Sequence, residues 1–209
     1  MKKKTLWYVA DPMCSWCWGF APVIERIRKE YGDRLKFELL LGGLRPGTTH
    51  PISPEQRQEI LHHWENVHRL TGQPFQFAGA MPEVFVYDTE PASRAVVAAL
   101  LLVPEVGFPF LKAVQHAFYA EQQDVTKTAV LVQLADQAGL DAQQFAATFE
   151  SHAAKKLTLD HFTRARHLGI GGFPTLLLED HAGYRALTRG YIPFQHLSLK
   201  LEKWLGLQP

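Results

Sequence analysis

The chain has 209 residues, of which 46% are apolar and 21% charged, and its formal net charge is +1. This ordinary globular composition allows a real hydrophobic core, in one domain or one domain with a large insertion. The balanced charge argues against a nucleic-acid-binding protein, because lysines and arginines are scattered apart from the run at positions 2–4. We expect no nucleic-acid partner.

The basic start Met1-Lys2-Lys3-Lys4 resembles the beginning of a secretory signal. A signal would continue with about seven or more apolar residues and a small-residue cleavage site. Here the apolar run of residues 6–10 ends at Asp11 and is better interpreted as a buried strand. No stretch approaches the ~18 uninterrupted apolar residues of a membrane span. We therefore expect a cytoplasmic protein that does not associate with a membrane.

The first fifty residues have the pattern of a β-α-β unit. Residues 5–11 and 34–41 predict strands, since the first is rich in β-branched and aromatic residues and the second alternates apolar with charged ones. Residues 15–31 predict a helix between them, closed by Gly32. The glycine-rich loop at 42–47 ends the unit.

Residues 51–168 predict an all-helical block. Ser53, Pro54 and Gln56 have the pattern of an N-cap, a first-turn proline and a capping-box partner. Six helices are predicted in order: one from this cap to Leu70, three over residues 90–102, 108–120 and 126–138, a fifth capped by Asp141, and a sixth that follows Thr158 and ends before Gly169.

Strand character returns near the C-terminus. Residues 175–178 and 184–189 predict two strands joined by a turn at His181-Ala182-Gly183, and residues 193–205 predict a closing amphipathic helix. The chain thus begins with β-α-β and ends with β-β-α. The helical block is inserted between these halves.

Cys14 and Cys17 are the only two cysteines, and they stand where the first strand meets the first helix. A bridge over so short a loop constrains the unfolded chain little, so we do not expect a structural staple. The N–H groups and dipole of a helix N-terminus favour a thiolate and can lower a cysteine pKa well below its free value of ~8.5. We therefore predict that Cys14 attacks and that Cys17 resolves a mixed disulfide.

Two other interpretations of this pair stay open. Half of a zinc site would require two further ligands, and His62, His63 and His68 cluster on one predicted helix. Such a cluster is more often a solvated helix face, and we predict no metal ligand. Inert core cysteines are the other alternative, although the spacing at a strand–helix junction disfavours them.

A second motif, Gly172-Phe173-Pro174-Thr175, opens the third predicted strand, where proline removes a ladder donor. Together with the cysteine pair and Pro22, five residues after Cys17, it resembles the thioredoxin superfamily. The resemblance implies a cis Phe173–Pro174 bond and a substrate that pairs with the Phe173 main chain. Taken alone, Pro174 is also compatible with a trans turn proline.

The long helical connection between the motifs resembles the DsbA-like branch, which inserts a helical domain into the α/β thioredoxin fold. The opening at residues 11–20 and the lack of a signal are most similar to its cytoplasmic FrnE-like members. The resemblance implies a thioredoxin-like domain of residues 1–50 and 169–209, with residues 51–168 inserted. It also implies a protein disulfide oxidoreductase or isomerase.

The same resemblance implies a set of site residues. Asp11, the carboxylate nearest to the pair in sequence, either forms a turn before Pro12, which we favour, or tunes the cysteine pKa values. The strongly oxidising relatives carry histidine where Trp16 stands, so a less oxidising pair is expected. The predicted catalytic residues are Cys14 and Cys17, and the predicted substrate-binding residues are Trp16, Phe173, Pro174 and Thr175.

Disulfide exchange requires no metal or organic cofactor. The expected partners are proteins or peptides with disulfides or dithiols, with glutathione as an additional co-substrate, and a reducing compartment would favour reduction or isomerisation. Kappa-type glutathione transferases and chromene-carboxylate isomerases resemble the chain in element order but typically place serine where Cys14 stands. They are the alternative enzymes, and a zinc-binding or partner-binding module is the non-enzymatic alternative.

Overall fold

The computed structural model describes residues 4–207. The first three residues, which carry most of the basic N-terminal run, and the last two lie outside this range. None of the helices within it is both long and apolar enough to cross a membrane.

Over the described range the chain forms one four-stranded sheet and eight α-helices, as expected for an α/β protein. A short 3-10 helix, Pro104–Val106, stands before the fourth α-helix and was not predicted. The elements are β1 Thr5–Ala10, α1 Ser15–Tyr31, β2 Lys36–Leu41, α2 Pro54–Thr71, α3 Glu90–Leu102, α4 Gly107–Tyr119, α5 Thr128–Gln137, α6 Ala142–Glu150, α7 His152–His167, β3 Thr175–Asp180, β4 Gly183–Arg189 and α8 Phe194–Leu205.

The sheet has the strand order β2-β1-β3-β4. β1 runs parallel to β2, with Tyr8 opposite Leu39, and antiparallel to β3, with Tyr8 opposite Leu176. The β3–β4 pair is antiparallel, with a register shift between Leu176 and Leu177. β1 and β3 are central strands covered on both faces, which explains their nearly continuous apolar sequences.

Helices cover both faces of the sheet. On one face, Leu6 and Tyr8 of β1 join a large core with apolar residues of α1 and α8. On the other, Val9 packs with Leu177 of β3 and with Ala165 of α7. Alternate residues of one strand therefore face different helices, as the two-residue period of a strand requires.

The remaining helices share a core rich in small and aromatic residues. α3 is buried along most of its length, including Ala95 and Ala99, and these small side chains allow it to pack against α4, α6 and α7. Trp64 of α2 contacts Tyr119 at the end of α4, with ring centroids 4.9 Å apart. This ring contact connects α2 to α4.

The predicted start of α2 is confirmed. The amide of Gln56 donates to Ser53 Oγ at 3.2 Å, and the Ser53 amide donates to Gln56 Oε1 at 2.9 Å, which together form the capping box. The helix ends at Thr71, one residue later than predicted, and its C-cap is Gly72, whose φ of 72° lies in the left-handed region that favours glycine.

The predicted start of the sixth helix was wrong. α7 begins at His152, because Ser151 is its N-cap and accepts a hydrogen bond from the Ala154 amide at 3.1 Å. Thr158 instead lies inside the helix, buried, and its hydroxyl donates to the Ala154 carbonyl at 2.8 Å. A threonine that bonds back to the preceding turn has the same sequence signature as a cap.

We expect Ser151→Ala to lower the free energy of unfolding by about 1 kcal/mol, because the amide of Ala154 loses its acceptor. Ser151→Asp should recover part of this loss, since aspartate accepts the Ala154 bond but cannot donate to the Thr148 carbonyl as the serine hydroxyl does. Urea unfolding measures both, with Ser198→Ala inside α8, where the serine caps no helix, as a control. Equal stability of Ser151→Ala and the control would contradict the assigned start of α7.

Candidate active site

The cysteine pair lies at the N-terminus of α1, directly after β1. Cys14 is the N-cap residue in an extended conformation, and its carbonyl accepts hydrogen bonds from the amides of Cys17, at 2.9 Å, and Trp18, at 3.1 Å. Its side chain makes no capping hydrogen bond. The Cys14 sulfur thus stands at the positive end of the helix dipole and is not used to build the helix.

The two thiols are adjacent but differ in access to solvent. Both cysteines are free; Cys14 is 7% exposed and Cys17 is fully buried. Burial and a hydrogen bond with Cys14 raise the pKa of Cys17 well above its ordinary value. Cys17 therefore remains a protonated thiol at neutral pH, while Cys14 is the sulfur that an incoming group meets first.

The second motif lies against the first. The Phe173–Pro174 peptide bond is cis, and the Phe173 carbonyl oxygen accepts a 3.7 Å hydrogen bond from Cys14 Sγ. Thr175 is buried, and its hydroxyl donates to the Gly172 carbonyl at 2.8 Å. Its side chain therefore supports the proline loop from inside and does not reach the surface where a substrate would bind.

Gly42, which follows β2, has no side chain, and the Phe173 ring fills the space that a side chain there would take. A Cβ atom at Gly42 would lie 1.9 Å from Cε1 of Phe173, and the Gly42 amide donates to the Ala10 carbonyl at 2.8 Å. The sequence indicated a glycine-rich loop here but not its connection to Phe173. The loop after β2 therefore contacts Phe173, the residue that precedes Pro174.

Asp11 is a fully buried carboxylate beneath the pair. Its Oδ1 accepts from the Met13 amide at 2.8 Å and its Oδ2 from the Leu44 amide at 2.7 Å, so it forms the predicted turn and also binds the loop after β2. Burial raises its pKa to about 6 despite these bonds, and its charge contributes to the raised pKa of Cys17. Turn formation and electrostatic influence on Cys17 therefore occur together.

Three buried tyrosines near the pair were missed by the sequence analysis. The Tyr8 hydroxyl donates to the Cys17 carbonyl at 3.4 Å, and the Tyr87 hydroxyl donates to the Met13 carbonyl. Burial raises the pKa of Tyr8, Tyr87 and Tyr119 alike, and the negative charge that Cys14 can carry contributes to each shift. The only signal in the sequence was Tyr8, a phenol inside a strand interpreted as buried.

The two tryptophans beside Cys17 occupy different environments. Trp16 is half-buried, and its ring centroid lies 6.1 Å from that of Tyr191. Trp18 is buried, stacks on Tyr119 and donates from Nε1 to the Pro74 carbonyl at 2.9 Å. Of the two, Trp16 is therefore the side chain that an incoming substrate could contact.

A cavity of about 400 Å³ opens beside the proline loop. Glycine backbone forms most of its wall, and Arg189 is the charged side chain among its lining residues. It offers exposed main-chain groups and one cation next to the segment that touches Cys14. Its lining residues are Gly169, Gly171, Gly172, Phe173, Arg189 and Gly190.

The histidine cluster on α2 faces solvent. His62 lies 3.6 Å from Glu65, and His68 is within 2.7 Å of the Gln73 carbonyl through Nδ1. Across residues 4–207, no three histidine, cysteine, aspartate or glutamate side chains are grouped so that they could hold a metal ion.

Comparisons with known proteins agree with this geometry. Residues 5–199 match the family of DsbA-like thioredoxin domains. The chain is 49% identical to a provisionally assigned protein disulfide isomerase from Nitrosomonas europaea, with a TM-score of 0.94 and 98% of either chain covered. It is 30% identical to the cytosolic disulfide reductase DsbM from Pseudomonas aeruginosa, with a TM-score of 0.82 over 98% of this chain and 100% of that one. The predicted thioredoxin fold and DsbA-like resemblance are confirmed.

Two further comparisons concern ligands and curated relatives. DsbM has also been solved with GSH, and that chain is 29% identical, with a TM-score of 0.80 over 97% of this chain and 100% of that one. The ClpXP adapter protein SpxH of Halalkalibacterium halodurans is 25% identical over 207 residues. The aligned part is 95% of this chain but 67% of SpxH, and 66% of the SpxH of Shouchella clausii, so the chain spans about two thirds of these relatives.

We expect Gly42→Ala to lower the free energy of unfolding by about 1–3 kcal/mol, because its methyl group must displace the Phe173 ring. In a Phe173→Ala background the same substitution should cost much less. Urea unfolding of the four proteins of this double-mutant cycle measures the coupling. Additive effects would show that the ring does not occupy the space above Gly42.

We expect the Asp11 carboxyl to titrate near pH 6, measured by carbon NMR of the folded, reduced protein. Because the folded-state pKa lies above the unfolded one, this group's stabilising contribution is complete below about pH 3.8 and is lost as the pH rises through 6. Relative to Asp11→Asn, the free energy of unfolding of the wild type should fall by on the order of 3 kcal/mol across this window, at about 1.36 kcal/mol per pKa unit.

Two features of this measurement control for other groups. His161, whose pKa is lowered to about 4 mainly by burial, contributes with the opposite sign, and the difference between the two proteins cancels it. The exposed Asp33→Asn serves as the matched control and should follow wild type across the window. A titration midpoint below pH 4.5 for Asp11 would contradict the raised pKa.

Proposed function

The chain belongs to the family of DsbA-like thioredoxin domains, and we propose that its Cys14–Cys17 pair exchanges disulfides with thiol and disulfide substrates. One observation carries the proposal: Cys14 Sγ lies 3.7 Å from the Phe173 carbonyl, with Cys17 buried behind it. A thiol–disulfide oxidoreductase requires this combination of an accessible sulfur, a neighbouring thiol and a main-chain docking site.

The first proposed step is attack by Cys14. Its thiolate attacks one sulfur of a substrate disulfide; the substrate S–S bond breaks, a mixed disulfide forms, and the departing substrate thiolate takes up a proton. The helix N-terminus stabilises the attacking thiolate. The cis-proline loop aligns an extended substrate through the Phe173 main chain, and the half-buried Trp16 contacts its apolar side chains.

Cys17 completes the second step. Its thiol gives up a proton and attacks Cys14 Sγ, so that the mixed disulfide breaks, the second substrate thiol is released and a Cys14–Cys17 disulfide remains. The substrate has gained two electrons and the protein has lost two. Since burial raises the pKa of Cys17, this proton must be accepted locally, and Asp11, ionised above about pH 6, is the nearby base.

We propose reduction as the physiological direction, with glutathione as the electron donor. Two glutathione thiols would restore the dithiol and leave as glutathione disulfide, which balances the two electrons. The similarity to DsbM, described as a cytosolic disulfide reductase and solved with GSH, supports this direction and a cytoplasmic location. Arg189, beside the glycine-lined cavity, offers a cation to the carboxylates of such a tripeptide.

No observation favours the alternative functions over disulfide exchange. The transferase and isomerase alternatives resemble enzymes with serine in place of Cys14, whereas here Cys14 contacts the proline loop and has the Cys17 thiol beside it. The adapter role of the SpxH relatives belongs to chains of which this one spans about two thirds. A metal-binding role lacks a suitable group of ligands in the described part of the chain.

We expect Cys14→Ser to abolish glutathione-coupled reduction of insulin, because the attacking sulfur is removed. Cys17→Ser should instead accumulate a mixed disulfide, detected by mass spectrometry, because the resolving thiol is missing. In the reduced wild type, iodoacetamide should label Cys14 well before Cys17, since Cys17 is buried and protonated.

Ser198→Ala on α8, outside the proposed site, is the matched control and should retain full activity. Insulin reduction by Cys14→Ser above about a tenth of the wild-type rate would contradict the proposal, as would earlier labelling of Cys17. If Cys14→Ser kept conjugating glutathione to an aromatic halide, the transferase alternative would replace it.

A further inference from the structure

A second cavity, of about 470 Å³, lies between α1, α4 and α5. It shares no lining residue with the cavity beside the proline loop. Tyr8, whose hydroxyl bonds to the Cys17 carbonyl, forms part of its wall. Tyr8 therefore connects this cavity with the backbone of Cys17.

The wall of this cavity is largely apolar. Its size is in the range of about 300–1,000 Å³ that is usual for small-molecule sites. Such sites combine an apolar body with a few polar groups that orient the ligand. The apolar and aromatic side chains that line it are Tyr8, Ala21, Ile24, Phe108, Pro109, Leu111, Ala113 and Leu134.

One polar group in the wall has no partner. Gln115 is 1% exposed and lines the cavity, and its Nε2 atom makes no hydrogen bond to any residue from 4 to 207. A buried amide donor without an acceptor costs about 1–3 kcal/mol, so it is rare in native proteins unless a ligand or water completes it. Gln115 therefore offers a buried hydrogen-bond donor to an acceptor atom of a ligand or water in the cavity.

One cation in the wall makes no direct ion pair. Arg28 is half-buried with its guanidinium 4.1 Å from the Phe108 ring centroid, and it forms no ion pair within the described chain. By contrast, Lys112 is 2.7 Å from Glu25, and His116 is 3.3 Å from Glu121. Glu25, whose charge acts on Arg28, is thus held by Lys112, and Arg28 remains available for a direct ion pair with a bound anion.

We propose that this cavity binds a small carboxylic acid with an apolar body. The body packs against Ile24, Phe108 and Leu134, the carboxylate pairs with Arg28, and a ligand oxygen accepts the hydrogen bond of Gln115. A guanidinium suits a carboxylate because it presents its N–H donors in a planar fork. The site does not depend on the exchange chemistry proposed above for the cysteines.

Isothermal titration calorimetry of the full chain tests this site, with 2-naphthoate as the probe and 2-naphthamide as its uncharged counterpart. We expect saturable binding of one 2-naphthoate and at least tenfold weaker binding of the amide, because the amide cannot pair with Arg28. Cys14→Ser should bind 2-naphthoate like wild type, which separates this test from the test of disulfide exchange.

Variants of the two polar groups separate their roles. Arg28→Gln should weaken 2-naphthoate binding about tenfold and leave the amide unchanged, whereas Gln115→Leu should weaken both probes. Arg26→Gln, on the same helix but outside the cavity, is the matched control. Ala113→Phe, at a half-exposed lining position, should block both probes by filling space, and it provides a test if Arg28→Gln does not fold.

Three results would overturn the proposal. Absence of saturable heat with 2-naphthoate would mean that water alone completes the Gln115 amide. Equal affinity for the acid and the amide would remove the role of Arg28. Unchanged binding in both Arg28→Gln and Ala113→Phe would show that the probe binds elsewhere on the protein.

Discussion

The antiparallel register of β1 and β3 is the constraint on which the site depends. Val9 pairs with Thr175, so the end of β1 lies beside the beginning of β3. The chain that leaves β1 must therefore meet the chain that enters β3. Cys14 and Pro174 come together for this reason, although the whole helical insertion separates them in sequence. A shift of this pairing by one residue would reverse the strand faces and separate them.

Burial of ionisable groups determines the chemistry at that meeting point. Asp11, Cys17 and Tyr8 are all buried, and desolvation is the largest cause of the raised pKa of each. The same low-polarity surroundings strengthen interactions among these groups, so a charge on one changes the proton affinity of the others. Cys14 and Cys17 are the same residue type, so their different exposure to solvent follows from their positions in the fold.

The helical insertion contributes to the site in two ways. Its aromatic residues, including Tyr87 and Tyr119, close the space above the loop of Met13 and Cys14. With α1 it also encloses the cavity that contains Gln115. The protein thus has two separate cavities, one beside the proline loop walled mainly by glycine backbone and one that contains Gln115 walled mainly by apolar side chains. These different walls favour different ligands: an extended peptide-like molecule and a compact apolar acid.

Local patterns in the sequence determined most elements and the two motifs. Capping by Ser53, the glycine after α2 and the apolar strands act over a few residues, so they can be inferred without knowing the fold. Thr158 shows the limit, since only the packing of α7 decides whether a threonine caps a helix or lies inside it. Tertiary structure alone decided the Phe173 ring above Gly42, the bond from Leu44 to Asp11 and the unpartnered Gln115. The first two features bring together groups that are far apart in sequence, and the third results from burial of a polar side chain. Burial sets the energy of each feature, and it is a property of the folded chain as a whole.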